Sequence, residues 1–281
     1  MEGLLWNIVR KLLAAVHDGC PRGIYSERDI VMVWLWAILY DRPLCWACQA
    51  EHWPPQFRPR RLPHPSTLSR RLKSAAVSQE IHRLHQATVA HFKIEKVAMI
   101  DGKPLIVSDV SQDPEATNGR GTRGMARGYK MHCVISPSGV VEAFEVQPLN
   151  VNERVPARRL LGQLPAGVRR ALADGNYDSG PLHSSLKPHR VKLYTPIINN
   201  YAGPRSHPRR RVLQRLMNHP LGQKLQHVRD HVERCLARMG NIGFGLKGLP
   251  NWVRRLTRVT SWISGKILLY NAYLLGKLTA S

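Results

Sequence analysis

Three acidic residues stand out in a strongly basic chain, and their positions suit the binding of a metal ion. The sequence has 19 Asp and Glu against 42 Lys and Arg, which gives a formal net charge of +23 at pH 7. Asp101 and Asp174 each follow a short apolar run, and Glu233 lies on a predicted basic helix four residues after Arg229. Carboxylates would repel a polyanionic partner unless they hold a divalent cation, for which carboxylate oxygens are suitable ligands. The three acids therefore predict a divalent-metal site.

The composition indicates a folded protein with a polyanionic partner. Apolar residues make up 43% of the 281 residues, and positive charge is spread along the whole chain. Nucleic acid is the first interpretation, ahead of a membrane surface or a ribosomal scaffold. The longest apolar run, 30–40, is too short to cross a bilayer, the five cysteines form no disulfide framework, and no signal peptide is recognisable. We therefore expect a cytoplasmic, nucleoid-associated protein with no membrane partner.

The hydrophobic pattern of residues 1–94 predicts a small all-helical N-terminal domain. Apolar residues recur at helical spacing, and a proline-rich connector over 54–65 interrupts them. After the connector, Arg70, Arg71 and Lys73 lie on a short basic helix. This helix either contacts DNA, as a helix-turn-helix does, or carries solvated arginines. The domain is thus a candidate for binding DNA ends.

Residues 95–281 predict an α/β domain that positions the three acids. The pattern reads β-β-β-α-β-α-β followed by helices, which favours a mixed sheet with helices packed on it. Asp101 is predicted to end the first strand and Asp174 the fourth, so neighbouring strands would bring both to one edge. Glu233 would reach that edge from a helix, and the three acids would suit two Mg²⁺ ions. Taken singly, each acid also fits a turn residue, a helix cap or a solvated ion-pair partner.

Two basic regions fit a path for DNA. In residues 118–130 glycines alternate with basic residues, and this segment is predicted as a loop whose backbone approaches phosphates. Residues 199–215 form a second arginine-rich stretch. Solvated loops are the alternative for both regions. The predicted phosphate contacts are Arg120, Arg123, Arg127, Lys130, Arg209, Arg210, Arg211 and Arg229.

Several short motifs, in order along the chain, carry a resemblance to a known family. They are Ile100-Asp101-Gly102-Lys103, Arg127-Gly128-Tyr129-Lys130 with His132, Asn150-Val151-Asn152-Glu153, Ala173-Asp174 with Tyr177-Asp178, and Arg229-Asp230-His231-Val232-Glu233. Together they resemble the DDE transposases of bacterial insertion sequences, whose catalytic domain has a ribonuclease H-like fold. The resemblance covers residues 95 to about 278.

The resemblance implies a site and an activity. It makes Asp101, Asp174 and Glu233 the catalytic, metal-binding triad, with two Mg²⁺ ions for which Mn²⁺ can substitute. The implied activity is cleavage of DNA strands at the ends of an insertion sequence, followed by strand transfer. The implied partners are double-stranded DNA, as element ends and target, and a second copy of the chain in a homodimeric synaptic complex.

The segment around Glu233 departs from the family pattern at two positions. The family has a tyrosine where Gln226 stands and a lysine where Gly240 stands. Two other functions therefore stay open beside transposition. One is a DNA-binding protein without catalysis, derived from a decayed or repurposed transposase, and the other is a ribonuclease H-like nuclease that hydrolyses DNA and never joins strands.

Overall fold

The computed structural model describes residues 2–16, 24–108, 111–196, 216 and 219–280, and the chain forms two compact units. The first unit comprises 1–92, 242–246 and 261–281, and the second comprises 93–241 and 247–260. The predicted boundary near residue 94 lies beside the first division, whereas 261–281 belong to the compact unit of the N-terminal helices. The functional assignment of the two domains stays a prediction. None of the described helices is long and apolar enough to cross a membrane.

The first unit is helical, and its core is built around one helix that is buried on every side. Its described helices are α1 (Glu2–Val16), α2 (Glu27–Leu39), α3 (Leu44–Ala47), α4 (Pro65–Arg71), α5 (Ala75–Ala90) and residues 261–280 of a C-terminal helix. Ser26 caps α2 as predicted, because its hydroxyl accepts a hydrogen bond from the Asp29 N–H at 3.1 Å and its own N–H donates to the Asp29 carboxylate. Every residue of α2 from 30 to 39 is buried, so this helix is the centre of the core.

The C-terminal helix completes this core. A Cβ added to Gly265 would lie 2.2 Å from the Ile38 Cδ1, so the helix approaches α2 as closely as glycine allows. The buried Lys266 donates hydrogen bonds to the Asp41 carboxylate at 2.7 Å and to the Phe244 carbonyl at 2.8 Å. A buried lysine needs such partners because an unpaired charge in a protein interior is costly.

The described residues of the second unit form a six-stranded sheet, and its mixed character agrees with the prediction from the sequence, which gave five strands. Its strands are β1 (Val97–Ile106), β2 (Thr117–Gly121), β3 (Gly124–Ile135), β4 (Val141–Pro148), β5 (Arg170–Leu172) and β6 (Lys192–Tyr194). The order is β2-β3-β1-β5-β6, with β4 also paired to β3. Strand β1 is antiparallel to β3 and parallel to β5, and β5 is parallel to β6.

Strand β2 was not predicted, and the loop expected over 118–130 is wrong. Residues 117–121 pair with 124–128 of β3 in a hairpin. Glycines in this segment permit close backbone packing, since a Cβ at Gly119 would lie 2.6 Å from the Leu149 carbonyl oxygen. Gly124 follows the turn with a φ of +121°, a conformation that favours glycine. The strand lacks the apolar alternation from which strands are recognised.

Helices cover the sheet and build its core. Helices α6 (Arg154–Gly162) and α7 (Gly180–Leu186) pack on a cluster that includes Ala98 and Ile100 of β1. Helix α8 (Pro220–Asn241) packs against β1 and β5, and helix α9 (Leu256–Ala280) follows it. Because side chains alternate along a strand, Asp101 points away from the face of Ala98 and Ile100.

Burial of Glu142 in β4 predicts a pH-dependent stability. The pKa of Glu142 is raised to about 7, first by burial and then by the nearby Glu95. A folded pKa above the unfolded value gives stability that is complete below about pH 4.5 and is lost as the pH rises through 7. We expect Glu142→Gln to raise the free energy of unfolding by about 3 kcal/mol at pH 8 and by almost nothing at pH 4.5.

Denaturant unfolding at both pH values would measure this effect. The exposed Glu51, changed to glutamine, is the matched control and is expected to give no pH-dependent gain. An equal gain from Glu142→Gln at the two pH values would contradict the assigned pKa.

Candidate active site

Asp101 and Asp174 lie side by side because β1 and β5 run parallel. The pairing register joins Met99 to Leu172, which lie two residues before Asp101 and Asp174, and the Asp174 carboxylate acts electrostatically on Asp101. The Oδ1 atom of Asp174 accepts a hydrogen bond from the Asn176 N–H at 2.9 Å, which fixes this carboxylate at the start of a short turn. The structure thus brings together the first two predicted acids where β5 ends.

Asp101 does not end its strand, contrary to the prediction. Strand β1 continues to Ile106, paired there with Gly128 of β3. The parallel pairing with β5 stops earlier, at Met99. Asp101 therefore lies at the edge of the parallel pair but in the middle of the antiparallel pair. The residues of β1 beyond Asp101, which stay paired with β3, form one side of the site.

The pKa values of both carboxyl groups are raised above their ordinary values. The pKa of Asp101 is raised to about 6, chiefly by burial and further by Asp174 and Glu153, while the Gly102 N–H and Arg229 lower it. The pKa of Asp174 is also raised, by burial first and then by Glu153. Adjacent, partly buried carboxylates disfavour simultaneous ionisation unless a cation lies between them. The pair is thus suited to holding a cation.

Glu153 is the third acid that acts on this pair, and the sequence analysis placed it only in the turn before a helix. Its carboxylate interacts electrostatically with Asp101 and Asp174. Its Oε1 atom lies 2.5 Å from the Nζ of Lys130, which is only 8% exposed. A Cβ at Gly102 would lie 3.0 Å from the Lys130 Cδ, so glycine leaves room for this lysine. The resemblance of 150–153 to a family motif was the signal that could have identified Glu153.

Glu233 lies apart from the aspartate pair. Its side chain is 64% exposed, and the Nη2 of Arg229 lies 3.6 Å from both the Glu233 and the Asp230 carboxylates. Arg229 also acts electrostatically on Asp101 and Asp174, so α8 presents a cation to the pair one turn before Glu233. Across the described ranges, no three His, Cys, Asp or Glu form a group that could hold a metal ion. The role of Glu233 as a ligand stays a prediction.

Comparison with known proteins identifies the family. The model of a family described as "Transposase DDE domain" matches residues 93–272. The chain belongs to this transposase family. The resemblance to DDE transposases is therefore confirmed. No curated protein matches the chain.

A solved structure supports the fold of this DDE transposase. It is similar to the piggyBac transposase in a cryo-EM synaptic complex with hairpin DNA, with a TM-score of 0.53 and 10% identity, over 98% of this chain and 72% of that one. A second match is the catalytic core domain of BIV integrase, with 14% identity over 59% of this chain and 98% of that one, but its TM-score of 0.24 supports no conclusion. The predicted ribonuclease H-like fold is confirmed.

The basic side chains predicted to contact DNA differ in whether they already bind other groups of the transposase. Arg120 and Arg123 are exposed on the β2–β3 hairpin. Arg127, by contrast, donates hydrogen bonds to three backbone carbonyls, those of Ser111, Asp113 and Ala116. All three of its guanidinium nitrogens are used, so we assign Arg127 to the support of the hairpin rather than to phosphate. Sequence alone could not show this, because the loop it binds is irregular.

The other predicted contacts have separate outcomes. Lys130 is buried and paired with Glu153, so it neutralises an acid of the protein itself. Arg229 is partly exposed and lies beside the aspartate pair, where a phosphate contact stays a prediction. The three predicted contacts of the second basic region lie outside the described residues, namely Arg209, Arg210 and Arg211.

These differences predict separate effects of arginine substitutions on DNA binding. Arg120→Ala with Arg123→Ala should lower the magnitude of the slope of log K against log salt by about two, since each lost phosphate contact removes about one. Arg127→Ala should leave the slope within about 0.5 of the wild-type value and lower the free energy of unfolding, because buried carbonyls lose their donors. Fluorescence anisotropy over a salt series, with thermal unfolding, measures both effects. An unchanged slope in the double variant would make the hairpin a connector.

Proposed function

We propose that this protein is the transposase of a bacterial insertion sequence, and that it cleaves DNA at the element ends and joins the freed 3′-hydroxyl to target DNA. The observation that carries the proposal is the adjacency of Asp101 and Asp174, which the parallel register of β1 and β5 produces. The resemblance to DDE transposases implies that Asp101 and Asp174 are the first two acids of the catalytic motif. Asp101 lies within β1 and Asp174 comes two residues after the end of β5, so both are held by or close to the sheet, where catalytic groups are placed more accurately than on long loops.

The donor set of the site fits divalent metal. Mg²⁺ is commonly bound through one or two carboxylates together with substrate phosphates and water. Asp101 and Asp174 would supply the two carboxylates, and Glu233 would complete a second site once DNA is bound. When bound, Mg²⁺ or Mn²⁺ would neutralise charge on the phosphate that undergoes transfer. Asp101 and Asp174 would orient the reacting groups by fixing the cations, and Arg229 would hold a neighbouring phosphate.

The remaining parts of the chain would bind and pair the DNA ends. Residues 1–94 would recognise an element end, and 95–281 would carry catalysis. The exposed Arg120 and Arg123 would contact the sugar-phosphate backbone of target or element DNA. Two copies would pair two ends in a homodimeric synaptic complex within the nucleoid. The net charge of +23 supports a DNA partner.

A DNA-binding protein without catalysis is the second candidate. It is favoured by the exposure of Glu233, whose carboxylate lies with Arg229 instead of with the aspartate pair. Gln226 and Gly240, in place of the tyrosine and lysine of the family, point the same way. A nuclease that never joins strands is intermediate between these two functions, because it needs the metal but not a 3′-hydroxyl as nucleophile.

A donor-plasmid assay separates the three functions. Purified protein, Mg²⁺ and a target plasmid are mixed with a donor plasmid that carries the element ends from the flanking DNA around a marker gene. Joined product supports the transposase, cut donor alone indicates the nuclease, and a salt-sensitive DNA complex without cleavage in Mg²⁺ or Mn²⁺ indicates the binding protein. The latter two results would each overturn the proposal.

A further inference from the structure

A cleft in the first unit is lined by four arginines that the proposed chemistry does not use. The cleft has a volume of about 440 Å³. Arg10 comes from α1, Arg28 from the first turn of α2, and Arg58 and Arg60 from the connector that follows. Like charges gathered around one cavity repel each other, so the arrangement costs free energy unless an anion neutralises it. The cleft is therefore a candidate anion site.

The acids of this part of α2 have other partners. Asp29 lines the cleft, but its Oδ2 accepts hydrogen bonds from the Ser26 N–H at 3.0 Å and from the Ser26 hydroxyl at 2.7 Å. Glu27 forms an ion pair with Arg71, at 3.0 Å. Neither acid is thus placed to neutralise the whole arginine cluster.

The guanidinium groups are available to a ligand. In the part of the chain that the structure describes, the side chains of Arg28, Arg58 and Arg60 make no hydrogen bond or ion pair. Arg10 donates one hydrogen bond, from Nη1 to the Gln56 carbonyl at 3.3 Å, which ties α1 to the connector. A guanidinium presents a planar fork of donors that matches the oxygens of a phosphate group.

The size and lining of the cleft favour a nucleotide over a bare phosphate ion. A volume of this size is typical of sites for small organic ligands. Phe57, Met32 and Ile24 add apolar lining beside the arginines, and Ile24 is 70% exposed. An aromatic ring next to cationic groups suits a base or a sugar joined to phosphate.

We propose that this cleft binds one nucleotide unit, with its phosphate groups on Arg28, Arg58 and Arg60 and its sugar or base against Phe57. The common chemistry is the phosphate ester of a nucleotide, which a free nucleoside triphosphate or a DNA strand would supply. The site contains none of the residues of the candidate active site and needs no divalent ion. The site therefore lies outside the proposed catalysis, and only a DNA strand as its ligand would rest on the proposed recognition of element ends by residues 1–94.

Titration calorimetry in EDTA tests this site, with deoxythymidine triphosphate and a short 5′-phosphorylated single strand as probes. The double variant Arg58→Ala with Arg60→Ala should bind the ligand about tenfold more weakly or worse, because two charge-assisted contacts are lost. Arg61 is exposed, adjacent in sequence and outside the cleft lining, so Arg61→Ala is the matched control. This control should keep its affinity within about twofold. The absence of metal separates the test from catalysis.

The outcomes are distinct. Competition between the two probes for the site supports a DNA strand as the source, and binding of the triphosphate alone supports a free nucleotide. Arg28→Ala gives a second measurement should the double variant unfold, with the same weakening expected. Equal affinity of wild type, the cleft variants and Arg61→Ala for both probes, or no binding at all, would overturn the assignment.

Discussion

Asp174→Asn should lower the rate of DNA cleavage by about a thousandfold or more, because the variant loses one of the two carboxylates that would hold the divalent cation. Asparagine keeps the shape of the side chain and can still accept the hydrogen bond from the Asn176 N–H. Folding should therefore be preserved, with a change in the free energy of unfolding of about 1 kcal/mol at most. Affinity for duplex DNA without metal should stay equal or rise slightly, since one phosphate-repelling charge is removed.

Asp178→Asn is the matched control for this substitution. Asp178 follows the same short turn, and its carboxylate lies 3.5 Å from the His183 Nε2 instead of beside Asp101. Its replacement should leave cleavage within about tenfold of wild type. Single-turnover cleavage of a labelled element end, with calorimetric titration of Mn²⁺, measures both variants. Cleavage by Asp174→Asn at the control rate would show that this chain does not use a DDE site.

Glu233→Gln should lower cleavage by about a hundredfold or more while leaving the folded protein unchanged, since a carboxylate ligand would be lost. The side chain of Glu233 is 64% exposed, so its replacement cannot open a cavity or bury an unpaired charge. A loss of activity in this variant would then come from the catalytic step and not from unfolding. This is the sharpest test of the third acid, because the structure leaves Glu233 outside the aspartate pair.

Asp230→Asn provides the control on the same helix. Asp230 is 55% exposed, and its carboxylate is 3.6 Å from the Arg229 Nη2, the same separation as for Glu233. Replacement of either acid removes one partner of Arg229, so any effect that acts only through Arg229 should be equal in the two variants. Equal cleavage rates would assign both acids to that ion pair and transfer the third-acid role away from Glu233.

Glu153 would be the next residue to test if Glu233 fails. Glu153→Gln alone would leave the buried Lys130 without its anionic partner, which is destabilising. The double variant Lys130→Met with Glu153→Gln removes both charges and avoids that penalty. A cleavage loss in this stable double variant would assign the Lys130–Glu153 pair a role beside the aspartate pair.

The sequence predicted the two aspartates of the pair because the strands that precede them have local apolar patterns. Apolar runs before Asp101 and Asp174 marked two strands, and the family motifs set their order. Strand β2 escaped prediction because glycine and arginine lack the alternation of a half-buried strand, and only the backbone of Leu149 explains why Gly119 is small. Strand β2 depends on long-range packing, which no local sequence pattern records.

The roles of the charged residues were harder to predict, because the role of a charged side chain depends on the groups that it contacts in the folded protein. Arg127 has the same type and setting in sequence as Arg123, yet it binds three carbonyls of a loop. Lys130 has the spacing of a phosphate contact, but Glu153 holds it inside the protein. Glu153 itself resembled a residue at a helix start, and its proximity to Asp101 depends on tertiary structure.

The close packing of residues 261–280 in the first unit constrains how the chain can fold as it is made. Gly265 fits against Ile38, and Lys266 pairs with Asp41, although more than 200 residues separate these partners in sequence. A nascent chain leaves the ribosome from its N-terminus. The N-terminal helices are therefore synthesised before the sheet and lack residues 261–280, against which they pack, until the sheet has been made. The second unit, whose residues end at 260, can be completed first. Exposure to proteases and chaperones should therefore be greatest while the protein is still being translated.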